Sequence, residues 1–311
     1  DIFTANGIHC YLFSDLRPTP ELSFAVRHLN AHCGIVLTAS HNPPEYNGYK
    51  VYGKSGGQLV PPQDEIISQK IQKTPFESIK FEGNSDLLQF IDKEIDLAYQ
   101  QDVLNSALFN KGTNKTLKIV FSPIHGTSIT ALPQVLENAG YNKLFIVKEQ
   151  TEPNGDFPTV ISPNPEEQEA LKMAVTLATE KEADIVIGTD PDADRFGLVV
   201  KDTESEWYYL NGNQIMTVLT DFLLQKKSDL NNLNAKCFIA STVVSSPIIK
   251  KIANHYNVQY KETLTGFKWI AKLIEDFPEL QFIGGGEESF GYLVGDSVRD
   301  KDAISASLLA C

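Results

Sequence analysis

Cysteine is scarce in this 311-residue sequence, and the four present, Cys10, Cys33, Cys237 and Cys311, stand far apart with no CxxC pair. That pattern excludes a zinc knuckle and a disulfide framework, and it points to a reducing, cytoplasmic compartment. Positive charge is also in deficit: 27 Lys and Arg against 40 Asp and Glu leave a formal net charge of −13. A nucleic-acid or anionic-membrane surface needs clustered Lys and Arg, so neither partner is expected. A local basic pocket for an anionic substrate remains compatible with that total. No run approaches the roughly 20 apolar residues that cross a bilayer. The opening DIFTANGIHC lacks a basic n-region and an apolar h-region, so no signal peptide is expected there. No initiator Met precedes Asp1, which is therefore not expected to be the natural start.

What is present is a soluble globular composition, 42% hydrophobic and 22% charged, in a chain long enough for two or three domains. Apolar, β-branched runs alternate with helical patterns. GIVLTAS (34–40) reads as a buried strand ending in a turn, and LKIVFSP (117–123) as a strand before a helix near Ser128. ADIVIGTD (183–190) follows a helical stretch over 164–181, KCFIAST (236–242) precedes a helix near 246–255, and LQFIGGGEE (280–288) follows one near 267–276. Alternation of this kind predicts α/β units with parallel or mixed sheets, whose sites form in loops at the carboxyl ends of strands. The polar stretches 110–116 and 226–236 read as linkers, and the Pro-rich 149–167 as a long ordered loop.

Three segments carry chemistry. In TASHNPPEYNGYKVY (38–52), Asn42, Pro43, Pro44, Asn47 and Gly48 force an irregular loop that presents Ser40 and His41 at a strand end. A serine becomes a useful nucleophile beside a base or cation, and Lys50 can return to the site after the loop. Taken alone, the segment also fits a polar turn with a bystander serine. It has no GxSxG elbow, which disfavours a serine hydrolase. In GTDPDADRFG (188–197), Asp190, Asp192 and Asp194 alternate directly after a strand and can converge on one hard cation. An EF-hand would need Gly and Glu where Arg195 and Lys201 stand, so that reading fails. Arg195 beside the carboxylates suits a phosphate, although a solvated acidic turn is the plain alternative. In GGGEESFGYLVGD (284–296), glycines allow close approach, and Glu287 and Ser289 share a face suited to vicinal sugar hydroxyls, although taken alone the segment fits a structural Gly-rich turn at least as well. Thr265-Gly266-Phe267-Lys268, opening a helix, is a further weak candidate for phosphate or sugar. Together these features point to phosphoryl transfer on a sugar, a chemistry of positioning and charge neutralisation.

TASHNPPEYNGYK resembles the phosphoserine loop of the α-D-phosphohexomutase superfamily, GTDPDADRFG its metal loop and GEESFG its sugar-binding loop, in the family's order. TLTGFKWIA and YLVGDSVRDKDA are most similar to the phosphoglucomutase/phosphopentomutase branch. The resemblance implies three consecutive α/β domains with mixed sheets. These would be a phosphoserine-loop domain (1–112, its N-terminal part missing), a metal-binding domain (113–228) and a sugar-binding domain (229–311). It implies that Ser40 carries the phosphoryl group and, with Asp190, Asp192 and Asp194, holds Mg2+. It implies that His41 and Lys50 assist proton transfer and phosphate contact, and that Arg195 orients the phosphoserine or substrate. Thr265, Glu287 and Ser289 would hold sugar hydroxyls, Lys301 would bind the substrate, and Gly266 and Lys268 would line the same substrate site. His125 of SPIHGT matches a family motif without an evident role.

The implied reaction interconverts glucose 1-phosphate and glucose 6-phosphate through a bound sugar bisphosphate. Mannose and pentose phosphates remain open as substrates, as does a non-catalytic phosphosugar-binding fragment. The sequence departs from the family in lacking its N-terminal Arg-Gly segment and its C-terminal phosphate-binding domain, so residues 1–311 alone are expected to be nearly inactive. Oligomeric state is left open.

Overall fold

The computed structural model describes residues 1–107, 109 and 115–311. The expected division at 112/113, and most of the expected 110–116 linker, lie outside the described residues. The chain runs through α1 (Ile2–Ala5), β1 (Cys10–Leu12), α2 (Thr19–His28), β2 (Cys33–Leu37), β3 (Tyr49–Gly53), α3 (Gln63–Lys73), β4 (Leu88–Phe90) and α4 (Lys93–Ala107). It continues through β5 (Ile119–Ser122), α5 (Leu132–Asn138), β6 (Leu144–Ile146), α6 (Lys172–Lys181), β7 (Ile185–Thr189), β8 (Phe196–Lys201) and β9 (Trp207–Tyr209). It ends with α7 (Gly212–Asp229), β10 (Cys237–Thr242), α8 (Ile248–His255), β11 (Gln259–Thr263), α9 (Phe267–Asp276), β12 (Gln281–Glu287), β13 (Gly291–Val294) and α10 (Ala303–Ala310). None of these helices is long and apolar enough to cross a membrane.

The second and third blocks share one sheet logic. In the order β6-β5-β7-β8-β9, the first three strands are parallel and β7, β8 and β9 are successively antiparallel. In the order β11-β10-β12-β13, the first three are parallel and β12–β13 is an antiparallel hairpin. The central strands β5, β7 and β10 are buried at every residue, which is why they read as unbroken apolar runs. The first block holds two smaller sheets, β1–β4 parallel and β2–β3 antiparallel. Their facing edges border a cavity of about 550 Å³. All three chemistry-bearing segments are thus turns of antiparallel hairpins, β2–β3, β7–β8 and β12–β13, rather than strand-to-helix loops.

Helix α10, apolar apart from Ser305 and Ser307, is buried along almost its whole length and packed all round. It rests against α4, α5, α7, β8 and β13, so one apolar core joins the three blocks. A second core lies under α6 on the other face of the β5–β9 sheet. Helix α7 starts at a capping box in which Asn211 and Gln214 satisfy each other's backbone N–H. It packs on β12, so the expected division at 228/229 falls in its last turn.

Two expected elements differ. The 34–40 run ends its strand at Leu37 and is only half covered, with Leu37 69% exposed, because β2 lies in a two-stranded sheet. The helix expected over 164–181 begins only at Lys172. Pro165 stands near its expected start, and Asn164 captures the N–H of Glu166 in a turn.

Candidate active site

The β2–β3 hairpin builds the first wall. Leu37 pairs with Tyr49 and Val36 with Lys50, so Lys50 returns beside the loop that Ser40 occupies. Gly48 allows the hairpin to close, since a Cβ there would sit 1.9 Å from the Thr38 carbonyl oxygen. Ser40 has φ 55°, left-handed backbone that a non-glycine residue adopts at a cost, and its N–H is held by the Thr38 hydroxyl at 2.9 Å. Its Oγ lies 2.9 Å from Asp190 Oδ2 and 2.9 Å from Asp192 Oδ1, with His41 Nδ1 at 3.3 Å.

The β7–β8 turn builds the second. Asp190 Oδ1 accepts the backbone N–H groups of Asp194 (3.0 Å) and Arg195 (2.9 Å), which curls the turn and aims Oδ2 at Ser40. Asp190, Asp192 and Asp194 are all buried, and one oxygen from each lies within 4.8 Å of the others. Lys50 Nζ reaches Asp192 Oδ2 at 2.9 Å and Asp194 Oδ2 at 3.4 Å. Lys301 Nζ reaches the same Asp194 oxygen at 3.0 Å.

Charge in so small a buried volume is unevenly held. Burial, then repulsion from Asp192 and Asp194, pushes the Asp190 carboxyl well above the usual carboxylate range. Burial also opposes charge on Asp194, but Lys301, Lys50 and Arg195 outweigh it and hold that carboxyl low. Burial works against both lysines, yet Asp194 with Asp192 holds Lys50, and Asp194 with Asp300 holds Lys301, above the ordinary lysine value. Burial, aided by Arg195, lowers His41.

A hard cation fits this donor set. The ligands are all oxygen. Asp194 Oδ1 is buried without a hydrogen-bond partner among the described residues. The single hydroxyl hydrogen of Ser40 cannot serve two carboxylate oxygens at once. A cation resolves both.

The β12–β13 hairpin closes the site. Its turn is bridged to the acidic turn through Arg195 and Gly291, and Phe196 N–H donates to the Phe290 carbonyl at 3.2 Å. Glu287 is buried, which holds its carboxyl above the usual range although Lys301, Arg195 and a hydrogen bond from Ser289 pull the other way. Arg195 also pairs with Glu166 at 3.0 Å, from the loop after Pro165.

Ser40, His41, Lys50, the three aspartates, Arg195, Glu287, Ser289 and Lys301 are therefore brought together. Thr265, Gly266 and Lys268 lie at the start of α9, and their side chains make no hydrogen bond to the cluster among the described residues. Thr265 is exposed, Gly266 has φ 106°, and Lys268 Nζ lies 5.7 Å from the Trp269 ring centroid. Their link to the cluster is Phe267, whose ring centroid is 5.8 Å from Lys301 Nζ. His125 is buried, with Nδ1 3.2 Å from the Glu152 carbonyl and Nε2 2.9 Å from Thr159 Oγ1, so it pins the 149–163 loop.

Sequence reasoning missed three partners. Thr19 donates its N–H to the Asp192 carbonyl (2.9 Å) and its hydroxyl to Asp192 Oδ2 (3.2 Å). Glu166 holds Arg195. Glu288 accepts from Thr242 and Ser245 at 2.9 and 3.0 Å, anchoring the turn between Glu287 and Ser289. The cavity between β1 and β2 is lined by Thr19, Ser40 and Asp192 but by none of Lys50, Arg195, Glu287 or Lys301.

This arrangement matches known proteins over nearly its whole length. Models of domains I, II and III of the phosphoglucomutase/phosphomannomutase family, all described as α/β/α, match residues 1–78, 98–204 and 211–311. The chain belongs to this family. A phosphoglucomutase of Staphylococcus epidermidis is 41% identical over 98% of the chain. The chain spans 56% of that relative's length, about half of it. A solved structure from Thermus thermophilus, whose phosphomannomutase name is itself provisional, superposes with a TM-score of 0.78 at 27% identity, over 98% of this chain and 64% of that one. The N-acetylphosphoglucosamine mutase of Aspergillus fumigatus, solved in complex with GlcNAc-6P and magnesium, shares the fold at 15% identity. Its TM-score is 0.62, over 94% of this chain and 73% of that one.

Proposed function

We propose that the protein moves a phosphoryl group between two oxygens of one hexose phosphate, as a phosphoglucomutase interconverting glucose 1-phosphate and glucose 6-phosphate. The observation that carries this reading is the Ser40 hydroxyl, 2.9 Å from two carboxylates of a buried aspartate triad and flanked by Lys50. Ser40, Asp190, Asp192 and Asp194 would hold magnesium, which supplies charge neutralisation for the transferring phosphoryl group when bound.

Phospho-Ser40 donates first: the Oγ–P bond breaks as a new O–P bond forms to the free sugar hydroxyl, and the proton that this hydroxyl loses is matched by the one the released Oγ gains. His41 Nδ1 at 3.3 Å from Oγ and the Asp190 and Asp192 carboxylates at 2.9 Å are the groups within reach of that oxygen, and since the two carboxylates would hold magnesium, His41 is the one assigned to carry its proton. Lys50 and Arg195 neutralise the phosphoryl oxygens, and Glu287 and Ser289 orient sugar hydroxyls with Lys301. The bisphosphate then turns over and its other phosphate returns to Ser40.

Sugar mono- and bisphosphates are the partners of this reading, nucleic acid and membranes are not, and the cytoplasm is its compartment. We take the first division to fall near residue 112 and the third unit to start near 211, because α7 packs on β12. The Thermus neighbour's name favours mannose phosphate as the second reading.

The test is a coupled assay of the protein from its complete reading frame on glucose, mannose and ribose 1-phosphates, beside residues 1–311 alone. Preference for glucose is expected. The fragment should lose several orders of magnitude in kcat/KM, because binding at a remote phosphate orients the reacting end. Activity only on mannose or ribose phosphate would overturn the glucose assignment, and no activity on any would overturn the reading.

A further inference from the structure

Lys301 reaches the acidic cluster from the third unit, yet the side chains that hold its segment come from the first. Arg299 N–H donates to Ser23 Oγ at 2.8 Å. Tyr99 Oη donates to Asp302 Oδ1 at 2.8 Å. Between them, Tyr52 Oη donates to Asp300 Oδ2 at 2.7 Å, and Gln58 Nε2 donates to the same oxygen at 2.8 Å. The other Asp300 oxygen, Oδ1, accepts from the Lys301 N–H at 2.8 Å and lies 3.3 Å from Lys301 Nζ. Tyr52 and Asp300 are 0% and 1% exposed, so no water competes for these bonds. One carboxylate therefore has an oxygen held by the first unit and an oxygen holding the lysine of the third. Tyr52 also stands two residues after Lys50 on β3, on the same face of the strand. A single strand thus points one side chain at the aspartate cluster and the next at the support of the second lysine.

We propose that Tyr52 is a positioning residue for Lys301, acting through Asp300. The hydroxyl of Tyr52 fixes the rotation of the Asp300 carboxylate, and that carboxylate fixes where the Lys301 ammonium sits between Asp194 and the sugar-binding turn. Lys50 and Lys301, from different units, are by this device brought to Asp194 Oδ2 by one strand. The inference rests on the mutase reading for its kinetic arm only.

The experiment is a double-mutant cycle in the enzyme made from its complete reading frame, combining Tyr52→Phe with Lys301→Met. Tyr52→Phe alone is expected to lower kcat/KM about tenfold to hundredfold, the scale of a lost hydrogen bond to a charged group. In the Lys301→Met background the same change should have no further effect beyond about twofold, because its target is gone. Equal losses in both backgrounds would overturn the proposal and leave Tyr52 a packing residue.

A second readout needs no activity. Reductive methylation followed by peptide mass spectrometry should show Lys301 reacting several-fold faster in Tyr52→Phe, with Lys143, an exposed lysine, unchanged. An unchanged Lys301 rate would overturn the proposal. If Tyr52→Phe does not fold, Gln58→Leu removes the other donor to the same oxygen and is read in the same two ways. A wild-type enzyme without mutase activity would sink the functional reading and leave the labelling result to decide this one.

Discussion

Replacing Asp192 by Asn changes the acidic cluster with the least change of shape, and its effect can be sized from the contacts it makes. Asp192 Oδ1 faces Ser40 Oγ at 2.9 Å, while Oδ2 accepts from Lys50 Nζ at 2.9 Å and from Thr19 Oγ1 at 3.2 Å. An amide keeps one oxygen for these donors and removes the negative charge. Interactions of a charged group in such a setting contribute about 1.5–3 kcal/mol. At about 1.4 kcal/mol per factor of ten, magnesium affinity should fall about 10- to 150-fold. The fold should survive. The backbone bond from Thr19 to the Asp192 carbonyl does not involve the side chain, and Lys50 retains Asp194 at 3.4 Å. Calorimetric titration of Mg2+ into wild type and variant, with circular dichroism melts as control, measures this. Unchanged magnesium affinity in a folded variant would refute the claim that the three carboxylates form one cation site.

Two other perturbations follow from the same geometry. A Cβ at Gly291 would lie 2.2 Å from Lys301 Cδ and 3.1 Å from Glu287 Oε1, so Gly291→Ala should displace Lys301. It should raise KM for the sugar phosphate at least tenfold while destabilising the fold by about 1–3 kcal/mol, read by steady-state kinetics and denaturant melts; an unchanged KM would refute it. Glu21 is buried, and burial, then Asp96, raises its carboxyl to about 9. The folded protein thus keeps a proton that the unfolded chain loses above about pH 4.5, so this stability is full in acid and is lost as pH rises through about 9. Glu21→Gln should flatten the fall in melting temperature between pH 5 and 9, and an identical slope in both proteins would refute the protonated state.

The aspartate triad was legible because alternate carboxylates directly after an apolar run have few other uses. The α/β class was legible because the central strands β5, β7 and β10 of the two larger sheets are buried and therefore unbroken in the sequence. Thr19 and Tyr52 were not legible, and the reason is separation: Thr19 meets Asp192 across 173 positions and Tyr52 meets Asp300 across 248. No local spacing signals such contacts. The half-exposed β2 was misjudged because its apolar residues suit a central strand, whereas it pairs only with β3 among the described residues.

Whether Ser40 is the group that carries phosphate is decided by one measurement. The enzyme from its complete reading frame is incubated with magnesium and glucose 1,6-bisphosphate, then digested and mapped by peptide mass spectrometry. One phosphate on Ser40 is predicted, absent from Ser40→Ala. A stable phosphate on another residue with Ser40 unmodified would contradict the account.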